Sequence, residues 1–340
     1  MVAEVMTTTS PMPTTSAWPI PTLADVYAAR HVVGRYLEPT PLLRPEALGD
    51  ALGCDLYLKC ENLQPVGAFK VRGGLNLISQ LSAAERERGV VAASTGNHGQ
   101  SIAYAARTFG VRATIFVPLG ANPGKIAAMG RMGAEVVEAG HDFAASCEAA
   151  EAHAAERGAH FIHSANEPRL IAGVATSTLE VMERIPHVDT LIVPVGGGSG
   201  LSGAAIVAKA ISPRVRVIGV QAEGARAVHD AYRRRELVSH DRMATFADGL
   251  ATRVTFELPS RIIWDLVDDI VLVSEGEMRR AIATLLARTG MVAEGAGAAG
   301  LAAAHRLRSD LRGETVAVTV SGGNLMPETL REILAGDAAW

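Results

Sequence analysis

The stretch DTLIVPVGGGSGLSG, residues 189–203, runs from an apolar β-branched segment into a glycine cluster and out into a small-residue helical segment. It reads as strand, loop, helix. Gly196, Gly197, Gly198 and Gly200 permit positive φ and close backbone approach, at a cost in backbone entropy that a plain turn does not require. Backbone N–H groups at a helix N-terminus carry partial positive charge, so the loop suits a phosphate cradle. The same residues contain Gly198-x-Gly200-x-x-Gly203, with the acidic Glu223 about 20 residues on, as a dinucleotide fingerprint asks. A nicotinamide-dependent dehydrogenase binding NAD is therefore a second reading of this loop.

Working outward, the same rhythm recurs. Candidate strands are 55–60, 89–94, 112–118, 134–139, 159–164, 189–195, 216–221, 269–274 and 315–321, most of them separated by Ala-rich stretches of helical period. Alternation of this kind predicts an α/β protein with parallel-rich twisted sheets flanked by helices. The strands are nearly continuous apolar runs, as expected where both faces are covered. The strand–helix units from 89 to 167 predict a small sheet of their own, and the remaining strands a larger one. Residues 233–260 are more polar and less regular and read as a long connection, placed to act as a lid. The Thr-, Ser- and Pro-rich start predicts a flexible tail over residues 1–20.

The bulk numbers exclude several classes. With 32 basic and 36 acidic residues the formal charge is −4, and no basic block marks a nucleic-acid partner. Aromatic residues make up 4%, too few for a base-stacking surface. No apolar run is long enough for a membrane span, and the tail lacks the pattern of a secretory signal. The three cysteines, Cys54, Cys60 and Cys147, form no CxxC pair and fit a reduced, cytoplasmic protein.

Three further loops carry candidate chemistry. GAFKVRG, 67–73, sets Lys70 among glycines and beside Phe69. Burial would lower the pKa of this lysine and make it a nucleophile, although a solvated lysine opening a helix is the plainer reading. STGNHGQ, 94–100, follows a strand and opens a helix; its hydroxyls and backbone N–H groups suit a carboxylate, and equally an N-cap cluster. SGGN, 321–324, follows the strand TVAVTV and would point the Ser321 hydroxyl inward from the strand end.

Taken together, ENLQPVGAFKVRG, STGNHGQ, PVGGGSG and SGGN occur in the order and spacing of fold-type II pyridoxal-phosphate enzymes, the tryptophan synthase β-like fold. Within that group the chain resembles the threonine/serine dehydratase and serine racemase branch, from about Leu23 to the last helix, and ADGLATR (247–253) and AEGAGAAGLAA (293–303) fit the same branch. The resemblance implies a cofactor, pyridoxal 5′-phosphate, joined to Lys70 as a Schiff base and flanked by Phe69. Asn97 would hydrogen-bond the ring 3′-hydroxyl, Gly196, Gly197, Gly198, Ser199 and Gly200 would hold the phosphate, and Ser321 would contact the pyridine nitrogen. Ser94, Thr95, Asn97 and His98 would bind the substrate carboxylate, and Thr95 would place a hydroxyl on the face opposite Lys70, a second catalytic candidate.

The implied reaction is β-elimination of water from a β-hydroxy amino acid such as L-threonine or L-serine, giving a 2-oxo acid and ammonia. Racemisation or β-replacement on the same fold is the alternative. The large cofactor domain would comprise 21–88 and 168–340, and 89–167 would close over the substrate. The protein is expected to be a homo-oligomer, dimer or tetramer, with no nucleic-acid or membrane partner. No arginine lies in 140–150 to bind an acidic substrate, and Arg253 is the candidate that would reverse that inference. Some relatives hold a divalent cation through a glutamate matched by Glu223. His229 stands where they have a second acid, and no metal site is expected. The chain ends at Trp340 without the C-terminal feedback module of biosynthetic threonine deaminases, so isoleucine regulation through one is not expected.

Overall fold

A computed structural model describes residues 18–340 apart from Thr95, Asn122, Asp142 and Asp337. Most of the expected tail and the catalytic candidate Thr95 thus lie outside the described residues. The strands are β1 (Leu42–Leu43), β2 (Asp55–Cys60), β3 (Val90–Ala93), β4 (Ala113–Val117), β5 (Glu135–Glu138), β6 (His160–Phe161), β7 (Thr190–Pro194), β8 (Arg216–Ala222), β9 (Asp269–Val273) and β10 (Thr315–Val320). They form a six-stranded sheet, β1-β2-β10-β7-β8-β9, and a four-stranded sheet, β5-β4-β3-β6.

Every pairing is parallel except β1 with β2. That antiparallel edge strand is an addition to the expected set. The segment expected over 159–164 shortens to His160–Phe161 in the ladder.

Both faces of the large sheet are covered. β7 is buried along its whole length. Because successive side chains point to opposite faces, Ile192 packs with Val220, Leu301 and Val318, while Leu191 and Val193 pack with Leu179 and Leu201. Each such aliphatic side chain contributes about 1.5–3 kcal/mol on burial, which is why these strands read as unbroken apolar runs. The small sheet repeats the arrangement, with Val90 and Ile115 against Ile102 and Met129 on one face, and Val91 and Phe116 against Ala150 and Ala154 on the other.

Close helix packing ties the two sheets together. The helix Lys70–Ser79 lies against Asn97–Phe109 and Pro168–Arg184. A Cβ on Gly74 would stand 2.5 Å from Ser101 Oγ, and one on Gly173 would stand 2.6 Å from the Arg72 carbonyl oxygen, so only glycine admits this approach. Beneath the same helix a buried ion cluster fixes its first turn. Arg72 donates to Glu61 (2.7 and 2.8 Å) and to Glu180 (2.6 and 2.9 Å), and Lys59 donates to the Thr40 carbonyl (2.8 Å). Burial alone would raise the Glu61 pKa; Arg72 and Lys59 outweigh it and hold the carboxyl below its usual range.

The connection read as a lid is exposed over most of 233–245 and anchored at a few buried positions. It joins the helices Ala227–Arg234 and Glu257–Leu266, carries the short 3₁₀ turn Asp248–Leu250, and buries Ala247 and Leu250. Its polar composition belongs to its outer side; its inner side forms a wall of the site.

Candidate active site

The sheet order brings the distant motifs together. β10 lies between β2 and β7, all parallel, so their carboxyl ends point one way. The segment after β2 delivers Phe69 and Lys70, the residue after β10 is Ser321, and the loop after β7 is Gly196–Gly200. Backbone bonds lock these loops to one another: Phe69 N–H donates to the Ser321 carbonyl (3.1 Å) and Gly323 N–H to the Gly67 carbonyl (2.9 Å). This is where ligands bind in open parallel sheets.

Lys70 opens its helix, and its carbonyl accepts the Ser101 hydroxyl at 2.6 Å. Its Nζ donates to Ser199 Oγ at 2.8 Å and stands 5.3 Å from the Phe69 ring centre. Burial lowers the amine's pKa to about 8. A solvated surface lysine is therefore the wrong reading of GAFKVRG.

The glycine loop is shaped by what surrounds it. A Cβ on Gly196 would lie 2.2 Å from the Gly249 carbonyl oxygen, and one on Gly198, whose φ is +101°, would lie 2.5 Å from Pro259 Cβ. On Gly200 it would meet the Phe69 ring at 3.1 Å. Ser199 begins the helix Ser199–Ile211, so the loop sits at a helix N-terminus. Gly203, the last glycine of the dinucleotide-like pattern, lets this helix approach the backbone of Ala175. Glu223 pairs with Arg306 (3.2 Å), which also binds Glu277. His229 bonds Asp230, and among the described residues no group of three or more His, Cys, Asp or Glu could hold a metal. Arg253 is tied to the His240 carbonyl.

The small sheet supplies Ser94, after β3, and Asn97 and His98 in the first turn of the helix Asn97–Phe109. Ser94 Oγ accepts the Gly96 N–H at 3.1 Å, which turns the loop into the helix. Asn97 Nδ2 donates to Glu294 (2.7 Å), and its Oδ1 accepts from Asn324 (2.8 Å). His98 is buried, and neither ring nitrogen has a partner with hydrogen-bond geometry among the described residues. Burial first, and then the Lys70 charge, pull its pKa down to about 3.

Three residues to which sequence reasoning gave no role join the site. His163 faces Lys70; its Nδ1 accepts the N–H groups of Ala165 and Asn166 (both 2.9 Å), and burial holds its pKa near 4. The signal was a histidine between a strand and the Pro-led helix starting at Pro168. Asn324 and Glu294 lay inside quoted motifs, but their contacts span 227 and 197 residues and leave no local trace.

Comparison with known proteins agrees with this geometry. The chain is 41% identical to an L-threonine ammonia-lyase of Thermotoga maritima, covering 89% of this chain and 76% of that one. It is 36% identical to an L-threo-3-hydroxyaspartate ammonia-lyase of Saccharomyces cerevisiae over 93% and 97% of the two chains. Its fold matches a maize serine racemase with a TM-score of 0.89 at 30% identity, over 93% of this chain and 98% of the other. Residues 33–322 match the family model described as pyridoxal-phosphate dependent enzyme, which sets aside the nicotinamide reading. With that match spanning most of its length, the chain belongs to the pyridoxal-phosphate-dependent enzymes of fold type II.

Proposed function

We propose that the chain deaminates a small β-hydroxy amino acid, with L-threonine the first candidate and L-serine the second, releasing a 2-oxo acid and ammonia. The observation that carries the reading is a half-buried amine, Lys70, held at the carboxyl ends of three parallel strands opposite a glycine cradle, in a chain 41% identical to a threonine ammonia-lyase.

The residues fit pyridoxal 5′-phosphate. Cβ atoms at 196, 198 and 200 would fill the cradle, and neither ring nitrogen of the buried His98 has a partner with full hydrogen-bond geometry among the described residues. Lys70 provides the amine, Phe69 flanks it, and Ser321 follows β10 with only 6% of its surface exposed. When bound, the cofactor supplies the electron sink that makes a Cα proton acidic.

The protein's part is positional and electrostatic. N–H groups of Gly196–Gly200 hold the phosphate at the helix N-terminus. Ser94, Asn97 and His98, at a second helix N-terminus, hold the substrate carboxylate. A pKa of about 8 leaves a fraction of the Lys70 amine neutral near pH 7, able to take the Cα proton. Ser199 orients that amine. Both histidines stay neutral, so the substrate carboxylate is held by hydrogen bonds and the helix N-terminus and not by an imidazolium charge. Ser321 offers the pyridine nitrogen a neutral partner.

In this reading 21–88 and 168–340 hold the cofactor and 89–167 closes over the substrate, supported by the two separate sheets. The enzyme works in the cytoplasm as a homo-oligomer; buried unpaired thiols at Cys54 and Cys60 support a reducing setting, and exposed apolar side chains such as Leu43 and Leu63 offer surface to a second copy. Among the described residues no helix is long and apolar enough to cross a membrane.

The test is a panel of β-hydroxy amino acids, including 3-hydroxyaspartate, assayed for 2-oxo acid, ammonia and the D-enantiomer. Release of 2-oxo acid and ammonia from threonine or serine is expected. D-enantiomer without ammonia would replace the reading with racemisation.

A further inference from the structure

Glu294 belongs to AEGAGAAGLAA, a motif to which the proposed chemistry gives no task. It precedes the helix Gly295–Arg306, and its backbone N–H donates to the Gly322 carbonyl at 3.0 Å. The side chain turns inward and the residue is 9% exposed. Its Oε1 accepts from Asn97 Nδ2 at 2.7 Å. The charges that face it are Lys125, from the helix Pro123–Arg131, and Asp248, from the 3₁₀ turn, and these two are bonded to each other. Space for the carboxylate exists because residue 322 is glycine: a Cβ there would stand 2.3 Å from Oε1.

The chain of bonds leading to Glu294 has only one sense. It starts at the Val66 carbonyl, which can only accept, so the Asn324 group facing it is Nδ2 (2.8 Å). The same Nδ2 donates its other proton to Asn97, so the Asn97 atom there is Oδ1. Asn97 must then direct Nδ2 toward Glu294, where an acceptor waits. One Asn97 N–H is left over. A backbone carbonyl at one end and a carboxylate at the other fix two amides that could otherwise flip.

We propose that Glu294 is a positioning residue that holds Asn97 with its spare N–H toward the cofactor's 3′-oxygen and, through its own charge, sets the proton affinity of that oxygen. This rests on the reading of Asn97 as the partner of the 3′-oxygen. A carboxylate one hydrogen bond behind the donor makes Asn97 a weaker donor and raises the oxygen's proton affinity; a neutral carboxyl reverses both effects. Burial raises the Glu294 pKa to about 7, while Asn97 and Lys125 oppose the rise and Asp248 adds to it. The charge therefore switches within the working range.

The test uses the cofactor-loaded protein and reads the ratio of its long- and short-wavelength absorption bands between about pH 6 and 8. Wild type is expected to titrate with a midpoint near 7. Glu294→Gln should lose that titration and keep the low-pH band ratio at every pH, and Glu294→Asp should keep a titration with a moved midpoint. Equal titration in wild type and Glu294→Gln overturns the proposal. If Glu294→Gln does not fold, a pH-independent ratio in wild type overturns it instead. Asn97→Ala separates the two layers: a spectrum changed by Asn97→Ala but not by Glu294→Gln sinks the proposal and leaves the Asn97 reading standing, whereas an unchanged Asn97→Ala spectrum sinks both.

Discussion

Replacing Gly196 by alanine tests the phosphate cradle where the structure is least forgiving. The new Cβ would lie 2.2 Å from the Gly249 carbonyl oxygen and 3.3 Å from its carbon, about an ångström inside normal contact. Gly249 cannot retreat, since a Cβ there would already be 2.7 Å from Ala296 Cβ, and the neighbouring Leu250 is buried at 1% exposure. The strain therefore falls on the glycine loop. Overpacking of this kind costs about 1–3 kcal/mol, which corresponds to roughly 5- to 150-fold weaker binding of a ligand held by that loop. The assay is titration of cofactor-free protein with pyridoxal phosphate, followed by absorbance and intrinsic fluorescence, with a thermal melt to confirm folding. Gly200→Ala is the internal control: its Cβ meets the Phe69 ring at 3.1 Å, and a ring can turn aside, so the loss should be smaller. Undiminished affinity in Gly196→Ala, or a larger loss in Gly200→Ala, would refute the reasoning.

Lys70→Ala should remove the visible absorption of the loaded protein and lower the elimination rate by about 10²- to 10⁴-fold or more, since base and anchor are lost together; stopped-flow assay of 2-oxo acid release checks it. Glu294 has a second, cofactor-free readout. Its folded pKa, about 7, lies above the ordinary 4.5, so the folded state binds the extra proton and the stabilisation is full below about 4.5 and lost as pH rises to about 7. Unfolding curves of wild type relative to Glu294→Gln should diverge by about 3 kcal/mol across that window, and parallel curves would contradict the assignment. Arg72→Met strands the fully buried Glu61 without its guanidinium and should cost about 3–5 kcal/mol in denaturant unfolding; a shift under about 1 kcal/mol would mean that the carboxyl is neutral.

Much of this was legible in the sequence, for a physical reason. DTLIVPV and TVAVTV are covered on both faces, so burial wrote itself as continuous apolar runs with glycine at their carboxyl ends. The antiparallel strand Leu42–Leu43 was not legible because two residues carry no periodicity. Composition did not show the anchors of 233–260: Ala247 and Leu250 are buried by the glycine loop and by Ala296, neighbours that no local window contains. The site divides in the same way. Lys70, Ser199 and Ser321 announce themselves by the glycines around them. The role of Glu294 depends on Asn97, 197 residues away, and on Gly322, whose missing side chain is the space the carboxylate fills.

The most direct test of the account is borohydride reduction of the pyridoxal-phosphate-loaded protein followed by peptide mapping. The account predicts one pyridoxyl-modified lysine, Lys70, with loss of threonine deamination in step with labelling. A label on another lysine, or no label on a protein that still releases 2-oxo acid and ammonia from threonine, would contradict it.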